Sequence, residues 1–176
     1  MIVTISGDPA SGKSTVAKAI AQKLKCKHYS TGDLQRKIAK RMGLTITQLH
    51  EYEEKDDRID RKIDAYQQKL GKTQKNFVID SWLAAHFIPK AFHVYLRCGK
   101  QEQVRRRLSH KRKEESFVEA KKAMADLRKR AKLNRGRWCR FYGYDYTDMK
   151  NYDLVIDTTK ISPEEVVKLI LKELAK

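Results

Sequence analysis

Apolar residues fall in two rhythms along this chain. Short runs rich in β-branched or aromatic residues, at Ile2–Ser6, Lys27–Ser30, Phe77–Ile79, Phe92–Leu96 and Leu154–Ile156, read as strands. Between them apolar positions recur every three or four residues, the spacing of a helix with one buried face. Val16, Ala17, Ile20, Ala21 and Leu24 share such a face over Lys13–Leu24. Thr31–Met42 repeats the spacing through Leu34, Ile38 and Met42, with Gly43 as its stop. Thr45–Leu70 is charge-rich and helical, broken near Lys55–Asp57 and closed by Gly71. From Gln101 to about Phe141 glycines are few and prolines absent, which predicts two long basic helices with a break near Lys113–Ser116. Ser162-Pro163-Glu164-Glu165 opens a terminal helix: Ser162 is the N-cap, Pro163 takes the first helical position and Glu165 completes a capping box.

Strands that alternate with helices predict an α/β fold around a parallel sheet of five strands, with right-handed crossovers placing helices on both faces. No repeat, linker or low-complexity tract divides the chain, so residues 1–176 read as one domain.

Composition narrows the setting. Hydrophobic residues make up 40% of the 176, a globular balance. No apolar run approaches the ~18 residues that cross a bilayer. Met1–Ile5 lacks a basic leader and a cleavage site, and is expected to be the first strand rather than a signal peptide. Cys26, Cys98 and Cys139 lie far apart, with no C-x-x-C pair to hold zinc or found a disulfide framework, which suits a reducing cytoplasm. His28, His50, His86, His93 and His110 show no metal-ligand spacing.

Charge changes the picture more. The formal balance is +17, and from Arg97 to Arg140 there are 17 Lys and Arg against five Asp and Glu. Such an excess implies polyanionic partners, nucleotide phosphates or nucleic acid bound through segment 97–140, unless the surface lysines serve only solubility.

The chemistry starts at Gly7-Asp8-Pro9-Ala10-Ser11-Gly12-Lys13-Ser14, followed by Thr15. This G-x-x-x-x-G-K-S phosphate loop (P-loop) lies between a predicted strand and a predicted helix, the context that gives the motif its meaning. Its glycines let backbone N–H groups approach phosphate oxygens, and the helix aims its N-terminus at the same place. Lys13 is expected to reach the β- and γ-phosphates of ATP, and the Ser14 hydroxyl to bind Mg²⁺. Asp80 ends the Phe77–Ile79 strand, where its carboxylate would face the loop and bind Mg²⁺ through water.

Ser30-Thr31-Gly32-Asp33-Leu34-Gln35-Arg36 resembles the S-T-G-D-L-x-R segment of the nucleoside monophosphate kinases. Resemblance to archaeal-type cytidylate kinases continues through Ile59-Asp60, Ile63-Asp64, Leu83-Ala84, Tyr142-Gly143-Tyr144-Asp145 and Tyr152–Thr158 to Ser162–Val166. It implies a three-layer α/β/α P-loop NTPase fold with an acceptor-binding insertion near 31–71 and a lid with basic helices over 98–146. It also implies ATP- and Mg²⁺-dependent phosphorylation of CMP or dCMP; for so basic a chain a monomer is the simplest expectation. Arg36 would grip the acceptor phosphate, with Thr31, Gly32 and Asp80 lining its pocket. Asp33 would lie near the metal. Arg112 resembles the lid arginine. Arg130 and Arg137, two helical turns apart, resemble a pair reaching the phosphates of both nucleotides.

Two departures stand out. Trp82 occupies the place where the family usually has a second arginine on the acceptor phosphate, and is expected to alter acceptor binding, since indole cannot neutralise phosphate. Ala131, Lys132 and Leu133 stand where acidic residues are usual. With the basic segment, these departures leave open an RNA-associated nucleotide-binding protein of weak or lost kinase activity, or a kinase for another acceptor.

Overall fold

A computed structural model describes residues 1–110 and 117–176; within these, the side chains of Arg107, Leu108, His110, 117–120, Ala123 and Arg130 fall outside the description. The predicted breaking point at Lys113–Ser116 and the expected lid arginine Arg112 therefore lie outside the described residues.

Five strands, β1 (Ile2–Gly7), β2 (Lys27–Ser30), β3 (Phe77–Asp80), β4 (Phe92–Arg97) and β5 (Leu154–Asp157), form one sheet in the order β2-β3-β1-β4-β5. Every pairing is parallel. Four of the five run one residue beyond the predicted C-terminal end, bringing Gly7, Asp80, Arg97 and Asp157 to one edge of the sheet. In open parallel sheets ligands bind outside that edge.

Helices cover both faces, giving the three-layer fold. On one face α1 (Lys13–Lys23) and α8 (Pro163–Leu174) pack Val16, Ile20, Val166 and Ile170 on Val3, Ile5, Val94 and Ile156. Ser162 caps α8 as predicted, accepting from the Glu165 amide at 3.2 Å while the Glu165 carboxylate accepts from the Ser162 amide at 2.7 Å. On the other face lie α4 (Arg58–Thr73), α5 (Ala84–Phe87) and α7 (Phe117–Tyr142). There Leu70, Phe77, Ile79 and Ile88 form one cluster, and Leu83, Tyr95, Trp138, Tyr146 and Tyr152 another.

The segment after β2 forms α2 (Thr31–Arg41), α3 (Ile46–Glu53) and α4, which enclose a small core of Ala39, Leu49, Ile59 and Ile63. Gly43, in the left-handed region with φ 68°, follows α2 as expected. Gly71 does not close α4, which continues to Thr73. A Cβ at Gly71 would lie 3.0 Å from a methyl of Ile88, so this glycine serves a close approach between α4 and the chain after α5. The basic stretch forms α6 (Lys100–His110) and α7. Neither α5 nor a 3-10 turn at Met149–Asn151 was expected from periodicity; both are too short to carry one. Among the described residues no helix is long and apolar enough to cross a membrane.

Candidate active site

The loop after β1 is shaped by close approach. Gly7 has φ 146°, and a Cβ there would lie 2.2 Å from the Leu96 carbonyl oxygen, so only glycine passes beside β4. Ala10 and Gly12 also have positive φ, 57° and 91°. Gly12 caps α1 without any side-chain bond, which leaves the first N–H groups of the helix available to an anion. The Asp8 carboxylate turns away from that position, accepting from Tyr95 Oη at 2.8 Å and from the Cys98 amide at 2.9 Å, and so anchors the loop to β4. Pro9 and Ser11 complete the turn, with Ser11 buried.

A second set of bonds ties the loop to the chain after β5. Thr158 Oγ1 lies 3.1 Å from the Ser11 carbonyl and 2.8 Å from that of Arg97. Arg106 on α6 donates to the Thr158 carbonyl, to Thr158 Oγ1 at 3.2 Å and to the Ala10 carbonyl at 3.4 Å.

Lys13 Nζ donates to the carbonyls of Gly7 and Asp8, at 3.0 and 2.7 Å. Burial lowers its pKa to about 8, against the pull of Asp80 and Asp8. Ser14 Oγ donates to Asp80 Oδ2 at 2.7 Å, and Ser30 Oγ approaches the same oxygen at 3.2 Å. Asp80 is 6% exposed. Its other oxygen meets His28 Nε2 at 2.6 Å, a partner that sequence spacing missed because β2–β3 pairing creates it. The oxygens of Ser14 and Asp80 are hard donors that fit Mg²⁺, whose remaining positions are usually filled by water and phosphate. Among the described residues no three His, Cys, Asp or Glu side chains converge to hold a metal.

Two cavities meet at Lys13 and Ser14. The larger, about 720 Å³, runs along Ala10, Gly12 and Thr15 towards Arg105, Thr159 and Pro163. The smaller, about 160 Å³, is lined by Thr31, Gly32, Gln35, Arg36, Asp80 and Trp82. The expected acceptor residues are thus brought together beside the P-loop. Thr31 is buried, with Oγ1 3.5 Å from the Asp80 carbonyl. Arg36 is 60% exposed and pairs with Asp33, which places Asp33 on that guanidinium rather than in the Ser14–Asp80 pair. Beyond Thr31, Gln35 and Trp82 the space continues as a cleft of about 30 Å³ bordered by Asp60, Asp64 and Gln67.

Arg137, expected at the phosphates, lies elsewhere. It is 1% exposed and held by Glu53 at 3.2 Å, Glu54 at 2.9 Å and Asp60 at 2.7 Å. Burial raises Asp60 to about 7 despite Arg137, and raises Asp64 to about 6 despite a bond from Tyr142. The Arg130 side chain is not among those described.

Trp82 does not stand free in the acceptor cavity. Its Nε1 donates to the Gly7 carbonyl at 2.8 Å, and its ring stacks on Tyr146 with centroids 5.3 Å apart.

The sequence and the fold have known counterparts. The profile of the cytidylate kinase-like family matches residues 2–160. A cytidylate kinase of Sulfolobus acidocaldarius is 36% identical over 173 residues, 97% of this chain and 92% of that protein. An S-adenosylmethionine-dependent nucleotide dehydratase of Lacinutrix mariniflava is 35% identical over 176 residues, which span 99% of this chain but 36% of that protein. The shikimate kinase of Bacteroides thetaiotaomicron shares the fold, with a TM-score of 0.64 at 17% identity, covering 100% of this chain and 99% of that one. A complete phosphate loop, a second cavity at its lysine and a family profile over nine-tenths of the sequence lead to one conclusion: the chain belongs to the cytidylate kinase-like family, and with it to the nucleoside monophosphate kinases.

Proposed function

We propose that this enzyme transfers the γ-phosphoryl group of ATP to CMP or dCMP. The observation that carries the reading is the meeting of two cavities at Lys13 and Ser14. One has room for a nucleoside triphosphate along the P-loop, and the other opens on Arg36. An acceptor phosphate in the smaller cavity would face the γ-phosphate across Lys13, as an in-line transfer demands.

The polar cleft beyond Trp82 supports a cytosine base. The 4-amino group of cytosine is a hydrogen-bond donor. The oxygens of Asp60, Asp64 and Gln67 at this cleft, held at present by Arg137, Tyr142 and Ser81, each have a second lone pair to accept from it. The name carried by the Sulfolobus relative favours the same acceptor.

In this reading residues 31–71 hold the acceptor and residues 98–146 form the lid. Lys13 and Arg36 fix phosphates, with Arg112 and Arg130 adding positive charge from the lid. Arg137 acts from its carboxylate cage, setting α7 against α3 and α4. Ser14 and Asp80 would hold Mg²⁺, which when bound offsets charge on the β- and γ-phosphate oxygens. No strict general base is required, because the acceptor phosphate is already nucleophilic.

The test is ADP formation with ATP and each of CMP, dCMP, UMP, AMP and GMP. Turnover with CMP and dCMP alone is expected, and Lys13→Ala should lower it by about three orders of magnitude or more. Equal turnover with AMP, or full activity in the variant, would overturn the reading.

A further inference from the structure

Trp82 follows β3 by two residues and meets the P-loop from below. Its Nε1–H and Lys13 Nζ donate to the same oxygen, the Gly7 carbonyl, at 2.8 and 3.0 Å. The Lys13 ammonium also lies 5.6 Å from the centroid of the indole ring, within reach of a cation–π attraction. The ring is held by Tyr146, stacked on it, and by Trp138, with centroids 5.9 Å away. Both partners are buried, so the indole has little freedom to turn.

A lysine ammonium has three N–H donors, so to hold both β- and γ-phosphate oxygens Lys13 must release at least one of the two loop carbonyls it now holds. A buried carbonyl stripped of its donor incurs the cost of a lost hydrogen bond. Asp8 has a second donor, the Ser11 amide at 3.2 Å. Gly7 has Trp82. Nor can the Gly7 carbonyl readily turn to find another partner, because its backbone is wedged against Leu96.

We propose that Trp82 is a positioning residue for the donor lysine: its N–H keeps the Gly7 carbonyl satisfied when Lys13 turns to phosphate, and its ring carries the ammonium until then. The task of this residue therefore lies with the triphosphate, although its ring also borders the acceptor cavity. The proposal rests on reading the loop as an ATP site.

The experiment compares ATP and CMP binding by calorimetry in the wild type and in Trp82→Phe, which keeps a stacking ring and removes only the N–H. The variant is expected to bind ATP about tenfold more weakly, the weight of one hydrogen bond. Its CMP affinity should stay within about twofold and its thermal midpoint should hold, while KM for ATP rises and kcat is kept. In a Trp138→Phe background Trp82 is the sole indole, and its emission should change when ATP binds. Unchanged ATP affinity in Trp82→Phe, or emission indifferent to ATP, overturns the proposal. So does an equal loss for both nucleotides alongside a lowered midpoint, which would make Trp82 a packing residue. A wild type that binds no ATP would fell the functional reading itself, whereas equal ATP binding by both proteins would remove this proposal alone.

Discussion

A lysine that donates to two carbonyls of its own loop is desolvated before any substrate reaches it. Burial sets Lys13 near 8, while an amine in the unfolded chain titrates near 10.5. Between these values the native state holds fewer protons than the unfolded one, so this group makes stability rise with pH across that window. Phosphate reverses the balance, since two or more negative oxygens restore the proton. ATP binding should therefore take up about one proton above pH 8 and weaken by up to tenfold per pH unit there. Calorimetry in buffers of different ionisation enthalpy reads the uptake directly. In Lys13→Ala the uptake should vanish, and its persistence would assign it to another group.

Between elements, a buried electrostatic cage fastens α7 to α3 and α4. Glu53 is fully buried, Asp60 nearly so, and Arg137 answers both. Removing the cation strands carboxylates in a dry place, at about 3–5 kcal/mol. Arg137→Met, which keeps the packing volume, should lower the denaturation midpoint accordingly at pH 8. The pH dependence has a definite sign. Asp60 titrates near 7 when folded and near 3.8 when unfolded, so the native state binds the extra proton and stability rises as pH falls from 7 towards 4. The variant should recover part of its loss on acidification, and a deficit constant from pH 8 to 5 would refute this account. None of the cage was legible in the sequence, because its members lie 77 to 84 residues apart. The same holds for His28 with Asp80 and for Trp82 with Gly7, separated by 52 and 75 positions and joined only through sheet register. By contrast the P-loop, the Ser162–Glu165 box and the strand order's raw materials could be read directly, since each is written within a few neighbouring residues. Gly71 shows the limit of local reading: a weak helix former looks like a stop until Ile88 is seen against it.

For the molecule as a whole, charge is the property most open to measurement. Lys122, Lys129 and Lys132 stand exposed on α7, in the stretch that carries much of the +17. If the surplus engages three or four phosphates of single-stranded RNA, affinity should fall about thirtyfold between 50 and 200 mM salt. Fluorescence anisotropy with a labelled oligonucleotide measures this, while turnover of ATP with CMP should stay within about twofold. A flat salt profile would leave the cations to solubility and to nucleotide phosphates. One tether described above also has a bearing on the order in which the molecule is made. Residues 7–14 are synthesised before Thr158, yet Ser11 and Ala10 are fastened by Thr158 and by an arginine that itself leans on Thr158. A nascent chain therefore carries its phosphate loop without that tether until Thr158 has been made. Firm capture of a nucleotide by this loop is therefore expected to follow the docking of the fifth strand.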